Sequence, residues 1–198
     1  IFHELGLDRF LTNKQRNRNF EFNVSTIMKL LVISRILEPA SKKHTFERRQ
    51  TYFEFEREDA FSLPDVYRAL SYSEIDTSLQ LHIHKQINEN YGRNTSLIYY
   101  DVTNYYFEID KEDELRAKGV SKEHRTDPIV QLGLAMDEDG IPISYEIFPG
   151  NESEKLHLRP MIGNLVRNYE TGRVIAVADA AQNTGNNIYY LESGKCNY

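Results

Sequence analysis

The chain has 198 residues, 40% of them hydrophobic and 27% charged, with 13 Tyr, 10 Phe and no Trp. That length suits one compact domain, or one domain with a helical appendage, and the aromatic content excludes a disordered chain. A single cysteine, Cys196, excludes an internal disulfide framework. No apolar run approaches the roughly 20 residues that span a bilayer, so a soluble, cytoplasmic protein is expected. Net charge is −6 and unevenly spread: residues 1–94 carry 14 Lys+Arg and 13 Asp+Glu, and residues 95–198 carry 10 and 17. An acidic half repels phosphates unless it holds metal cations, and charge alone does not choose.

Up to about Gly92 the pattern is helical. Thr26–Leu37 is apolar almost all round, which describes a buried helix, and it stops at Glu38-Pro39 because proline disfavours helix in the residue before it. Basic residues follow: Lys42, Lys43 and His44, then Arg48 and Arg49. Ser62-Leu63-Pro64-Asp65 predicts another helix start, with Ser62 as N-cap, proline in the first turn and Asp65 at the capping-box position. Asp76 is placed to cap a third helix, whose Leu79, Ile83 and Ile87 recur every four residues until Gly92 ends it.

From Ser96 the period changes to two. Leu97–Ile109 is rich in Tyr, Ile, Val and Phe, the signature of a strand. Lys111–Lys118 predicts a short helix closed by Gly119, and residues 120–128 read as a polar loop. Ile129–Met136 and Ile141–Phe148 are strands around the turn Asp137-Glu138-Asp139-Gly140, and Pro142 assigns the latter to a sheet edge. Leu156–Tyr169 predicts a helix with Leu156, Met161, Leu165 and Val166 in the core. Arg173–Ala178 reads as a short buried strand, and Thr184–Leu191 as a helix. The expected architecture is therefore α/β: a helical region over 1–94, then a three-stranded meander, a crossover helix and a fourth strand parallel to the first. That order begins a ribonuclease-H-like core.

Two carboxylates stand out in that topology. Asp101 interrupts an aromatic, β-branched strand and shares a face with Leu97, Tyr99 and Thr103, so a half-buried position is expected. Asp179 ends a buried strand. Adjacent parallel strands bring both to one site, where they repel unless a cation lies between them, and hard oxygens suit Mg²⁺ or Mn²⁺. The residues alone leave a second reading open: a strand-end Asp that caps the next turn, and a mid-strand Asp satisfied by hydrogen bonds.

Three stretches resemble a known family in order. Tyr99-Tyr100-Asp101-Val102-Thr103-Asn104 is similar to the first-aspartate motif of insertion-sequence DDE transposases of the IS-four type. Pro128–Asp137 and Gly140–Asn151 are similar to the hairpin between the family's two aspartates, and Val174–Asp179 with Asn183–Ile188 to its second-aspartate region. Leu37–Lys42 and Asp65–Leu70 resemble the helices before that catalytic core. The resemblance implies a ribonuclease-H-like domain over 95–198 that cuts and rejoins DNA ends with two divalent metals, held by Asp101 and Asp179 as catalytic acids. It implies DNA ends and target DNA as partners, with a homodimer on DNA, and phosphate contacts from the helical region, for which Lys42, Lys43, Arg48 and Arg49 are candidates.

The family's third acid, a glutamate in a motif with Tyr, Arg and Lys, has no counterpart here. Glu192 follows Asp179 too closely to serve, which places the third acid beyond Tyr198 in a longer protein and makes this chain a truncated transposase, inactive by itself. Ala180-Ala181 also replace the basic residue and glycine that usually follow the second aspartate. Two alternatives stay open: a non-catalytic remnant that binds DNA or poisons full-length copies, and another ribonuclease-H-like nuclease. The remaining candidates are weaker. His82 and His84 are two apart on a predicted helix and point to different sides. His157 is expected at the surface, and the Asp137–Gly140 turn lacks the later ligands of a calcium loop.

Overall fold

The computed structural model describes residues 1–16, 18–52, 61–73, 77–119, 126–169, 171, 175–178 and 184–193. The chain divides into two compact units, Ile1–Gln86 and Ile87–Tyr198. The first is helical: α1 (Leu7–Gln15), α2 (Val24–Leu37), α3 (Lys42–Glu47), α4 (Leu63–Ser73) and most of α5 (Thr77–Tyr91). Its helix starts are set by short polar side chains. Asn23 accepts from the Thr26 amide at 3.1 Å, and Ser41 from the His44 amide at 3.2 Å. At α4 the Ser62 amide and hydroxyl both donate to Asp65 Oδ2 (2.8 and 2.6 Å), and these bonds hold the Asp65 carboxyl below its ordinary pKa. The core gathers Phe2, Leu11, Phe22, Val24, Ile27, Val66 and Ala69.

One expectation fails in this unit. Helix α2 buries Val24, Ser25, Ile27, Leu30 and Ser34, but Ile36 and Leu37 at its far end are 73% and 68% exposed. An all-apolar helix hides its exposed stripe from a periodicity argument. The proposed cap at Asp76 lies outside the described residues. Gly92 does end α5, in the left-handed conformation (φ 69°) that glycine adopts without a Cβ penalty.

The second unit is α/β. Its sheet runs β3-β2-β1-β4, with β1 Leu97–Tyr106, β2 Ile129–Met136, β3 Pro142–Pro149 and β4 Ile175–Ala178. The first three strands are antiparallel, Asp101 facing Leu134 and Leu134 facing Tyr145. The fourth lies beside the first and parallel to it, Leu97 opposite Ile175 and Tyr100 opposite Ala178. Pro142 opens β3, which is an edge strand as its proline requires. Helix α6 (Leu158–Asn168) buries Leu158, Met161, Ile162 and Leu165, each worth roughly 1.5–3 kcal/mol against full exposure. The hydroxyl of Tyr169, just past α6, donates to Ser144 Oγ of β3 at 3.1 Å. Helix α7 (Gly185–Ser193) is tied back by Arg159 Nε donating to Asn187 Oδ1 at 3.0 Å.

Four corrections concern this unit. Lys111–Lys118 is not a helix. Asp113 accepts from the Leu115 and Arg116 amides and from the Arg116 guanidinium, and Ala117 bridges Ile129, so side chains take the backbone donors that a helix needs. The Arg116 hydrogen bonds hold the Asp113 carboxyl down at about 2. Leu156 sits in a short 3₁₀ turn and is 65% exposed, its expected place in the core taken by Leu158 and Ile162. Strand β4 is not buried on both faces, since Ile175 and Val177 are 40% and 43% exposed. His157 is buried, not on the surface, because its ring stacks on Phe148.

Candidate functional site

Strand β1 alternates cleanly. Ile98, Tyr100 and Val102 are buried, while Tyr99, Asp101, Thr103 and Tyr105 are exposed. Asp101 was expected half-buried with Leu97, Tyr99 and Thr103; it shares their face, but that face is the open one. The register carries the face across the sheet, through Leu132, Leu134 and Met136 on β2, Tyr145 and Ile147 on β3, and Ile175 and Val177 on β4. Among the described residues on these strands, Asp101 is the one charge on that plane. An exposed carboxylate on a rigid strand, ringed by apolar side chains, meets a ligand from solvent at little cost in desolvation.

The opposite face fixes β1 from below. Tyr100 is 2% exposed, and burial raises its phenol above the ordinary range, with the carboxylates of Glu146, Glu154 and Asp101 adding to the effect. Gly133 makes room for it: a Cβ there would lie 2.7 Å from the Tyr100 hydroxyl. One row along, Gln131 pairs across the strands with both Asn104 and Phe148, and its amide donates to the carbonyls of Gly150 (3.2 Å) and Glu152 (2.8 Å). His157 lies on Phe148 with ring centroids 3.6 Å apart, and its Nδ1 is 3.8 Å from Glu152 Oε2. Burial pulls the imidazole pKa down, opposed by Glu152. Burial also lifts the Glu146 carboxyl, opposed by the Asn164 amide.

Of the residues singled out from the sequence, Asp179 lies outside the described residues, as do Ala180 and Ala181. Tyr100 and Ala178, the residues before the two aspartates, are cross-strand partners. Lys42 and Lys43 open α3, and Lys43 is 3.9 Å from Glu47. Arg48 pairs with Glu38 at 2.5 Å, while Arg49 lies 4.2 Å over the Phe46 ring and donates to its carbonyl. His82 bonds the Leu5 carbonyl at 2.8 Å and stacks on Phe10, so it is structural. Glu192 is exposed near the end of α7. Among the described residues no three His, Cys, Asp or Glu side chains are grouped to hold a metal ion. Asp101 is a hard oxygen donor of the right chemistry, but by itself it is one ligand.

Sequence reasoning passed over Arg93 and the interior role of Asp137. Arg93 has one helix-ending glycine before it and no periodic partner, so nothing local marks it for burial. Asp137 was read as a turn residue, which it is: its Oδ1 accepts from the Asp139 and Ile141 amides (3.1 and 2.8 Å). No helix among the described residues is long and apolar enough to cross a membrane.

No family model matches the chain, and no curated protein matches it. Among solved structures it is similar to the mariner Mos1 paired end complex with Mg, at 15% identity and a TM-score of 0.37, over 87% of this chain and 57% of that one. It is similar to the corresponding complex with Mn at 14% and 0.34, over 91% and 59% of the two chains. A pre-cleavage Mos1 transpososome gives 12% and 0.36, over 86% and 57%. The chain thus spans less than two thirds of the length of these structures. At TM-scores this low the likeness does not define the fold.

Proposed function

We propose that the chain is part of a DDE-type DNA transposase, of the insertion-sequence group that its motifs resemble, with a ribonuclease-H-like core. One relationship carries the reading. β4 lies parallel to β1 with Ala178 opposite Tyr100, and the next residue in sequence after each is an aspartate, Asp101 and Asp179. Two carboxylates brought together are a cation site of hard oxygens in this reading. Asp101 already stands on the open face of the sheet, exposed and charged.

In this reading Asp101 and Asp179 hold Mg²⁺ or Mn²⁺, and a third acid outside these residues completes the site. A divalent ion so held supplies Lewis-acid activation at a phosphodiester. The chain's own contribution is positional. Strand β1, locked from below by Tyr100 and Gln131, presents Asp101 at a fixed height on a plane free of competing charge. DNA ends and target DNA are the partners, approached through Lys42, Lys43, Arg48 and Arg49, of which Lys43 also meets Glu47 and Arg48 also meets Glu38. A homodimer on DNA belongs to the same reading.

Calorimetric titration of Mn²⁺ into the chain, and into Asp101→Ala and Asp179→Ala, is the test. Weak binding lost in both variants supports the shared site, and binding that survives either substitution overturns it. Without the third acid, supercoiled plasmid is expected to stay intact in Mg²⁺. Nicking that depends on Asp101 would instead favour a complete ribonuclease-H-like nuclease.

A further inference from the structure

The covered face of the sheet carries polar atoms that the chain itself leaves without a partner. Tyr100 Oη, both Nδ2 and Oδ1 of Asn104, Gln131 Oε1 and His157 Nε2 are shut away from solvent, and no hydrogen bond reaches any of them. The four residues are neighbours. Asn104 faces Gln131 across β1 and β2, Gln131 faces Phe148 across β2 and β3, and His157 stacks on the Phe148 ring. Tyr100 Oη leans over Gly133 toward the same ring, since a Cβ on Gly133 would lie 2.7 Å from the hydroxyl and 3.1 Å from Phe148 Cε2. The Gln131 amide is fixed in its orientation: Nε2 holds the carbonyls of Gly150 and Glu152, so Oε1 is the atom left over.

A buried polar atom without a bond opposes folding, and native chains keep few of them. Five together point to a ligand, and the atoms define it. Asn104 offers a donor and an acceptor, Gln131 an acceptor and Tyr100 either, so the ligand both donates and accepts. An anion would be repelled by Glu146 and Glu154, whose carboxylates already act on the Tyr100 phenol. A metal cation would meet the hydrogens of Asn104 Nδ2, and among the described residues no three His, Cys, Asp or Glu are grouped to hold one. A larger molecule has no way to these atoms, which solvent does not touch.

We infer that the covered face of the sheet holds ordered water, bonded to Tyr100, Asn104, Gln131 and His157 as a fixed part of the structure. At roughly three bonds to each molecule, two waters satisfy the cluster. The site lies across β1 from Asp101, and it fills whether or not a metal binds there.

Oxygen-17 relaxation dispersion of water in a solution of the full chain tests this, because it registers water held inside a protein and is blind to proton exchange. A dispersion from long-lived water is expected, and it should shrink in Tyr100→Phe and in Asn104→Leu. The sign of a stability change gives a second readout that needs no water signal. Phenylalanine keeps the ring that fills the core, so Tyr100→Phe removes the hydroxyl alone. If water bonds that hydroxyl, the folding equilibrium constant falls about fivefold; if nothing bonds it, its removal relieves a desolvation cost and the constant stays or rises. No dispersion in the full chain, a dispersion that either variant leaves unchanged, or a folding constant that does not fall in Tyr100→Phe would each overturn the inference.

Discussion

Arg93 and Asp137 form an ion pair from which water is excluded: Nε stands 3.3 Å from Oδ2, and the side chains are 0% and 2% exposed. Arg93 Nη1 also donates to the Pro142 carbonyl at 3.1 Å, so the pair fastens the β2–β3 turn to the residues that lead into β1. Burial lowers the Arg93 pKa and Asp137 opposes that shift. Removing one partner leaves the other charged in a dry site. Asp137→Ala is expected to cost about 3–5 kcal/mol in urea unfolding, and the double change Arg93→Met with Asp137→Leu less than that. A single-variant cost below about 1 kcal/mol would show that the pair holds little.

His157 gives the unit a pH dependence with a definite sign. Its pKa is lowered in the folded state by burial against Phe148, so the unfolded chain takes up its proton first as pH falls. Stability from the neutral ring is full above the unfolded value of about 6.5 and is lost progressively as pH drops below it, down to the folded value. His157→Gln should flatten that part of the stability profile while lowering the plateau, because the ring stacking on Phe148 goes too. An unchanged slope below about pH 6.5 would assign the titration elsewhere.

Gly150 sits where two backbones meet. A Cβ there would fall 2.2 Å from the carbonyl oxygens of Ala117 and Ile129, and neither backbone atom has room to yield. Gly150→Ala is expected to lower the melting temperature sharply, by an amount in the upper tail of single substitutions, above about 3 kcal/mol. Gly140→Ala makes the contrast. Nothing lies within 4 Å of it, and only the positive φ of 75° is strained, so the loss should be about 1 kcal/mol.

Asp101 should behave in the opposite way to these. Its carboxylate is exposed on a strand that otherwise favours apolar residues, so Asp101→Ala is expected to change stability by no more than about 0.5 kcal/mol. The same variant is the one expected to lose Mn²⁺. A large loss of stability in Asp101→Ala would mean that the carboxylate is structural.

Strand positions and their order were readable because period two, glycine and proline act locally: Pro142 declared an edge, and Gly140 a turn. The side of the sheet that faces water was not readable. Tyr occurs on both faces of β1, with Leu97 on one and Val102 on the other, and only tertiary packing decides that Ile98, Tyr100 and Val102 go under cover while Asp101 stays out. His157 was misjudged for a similar reason, since its partner Phe148 belongs to another element. Lys111–Lys118 has the composition of a helix, yet Asp113 and Glu112 offered their carboxylates to the backbone first. At the candidate site, Asp101 was marked by its oddity within a strand, while the Gln131 and Gly133 that support it carry no signal apart from the pairing that surrounds them.

The parallel pairing of β4 with β1 also orders the folding of this unit in time. β2 and β3 are joined by the five residues Asp137–Ile141 and can zip within microseconds, as hairpins do. β4 reaches β1 only after the chain has passed through β2, β3 and α6, and the entropy of closing so long a loop must be met before the pairing returns anything. The strand pair that leads into Asp101 and Asp179 is therefore expected to form last and, under native conditions, to open first. Amide exchange at Ile98 and Tyr100 should outpace exchange at Leu132 and Leu134, and the carboxylate platform would then be a late product of a sheet whose other half is already set.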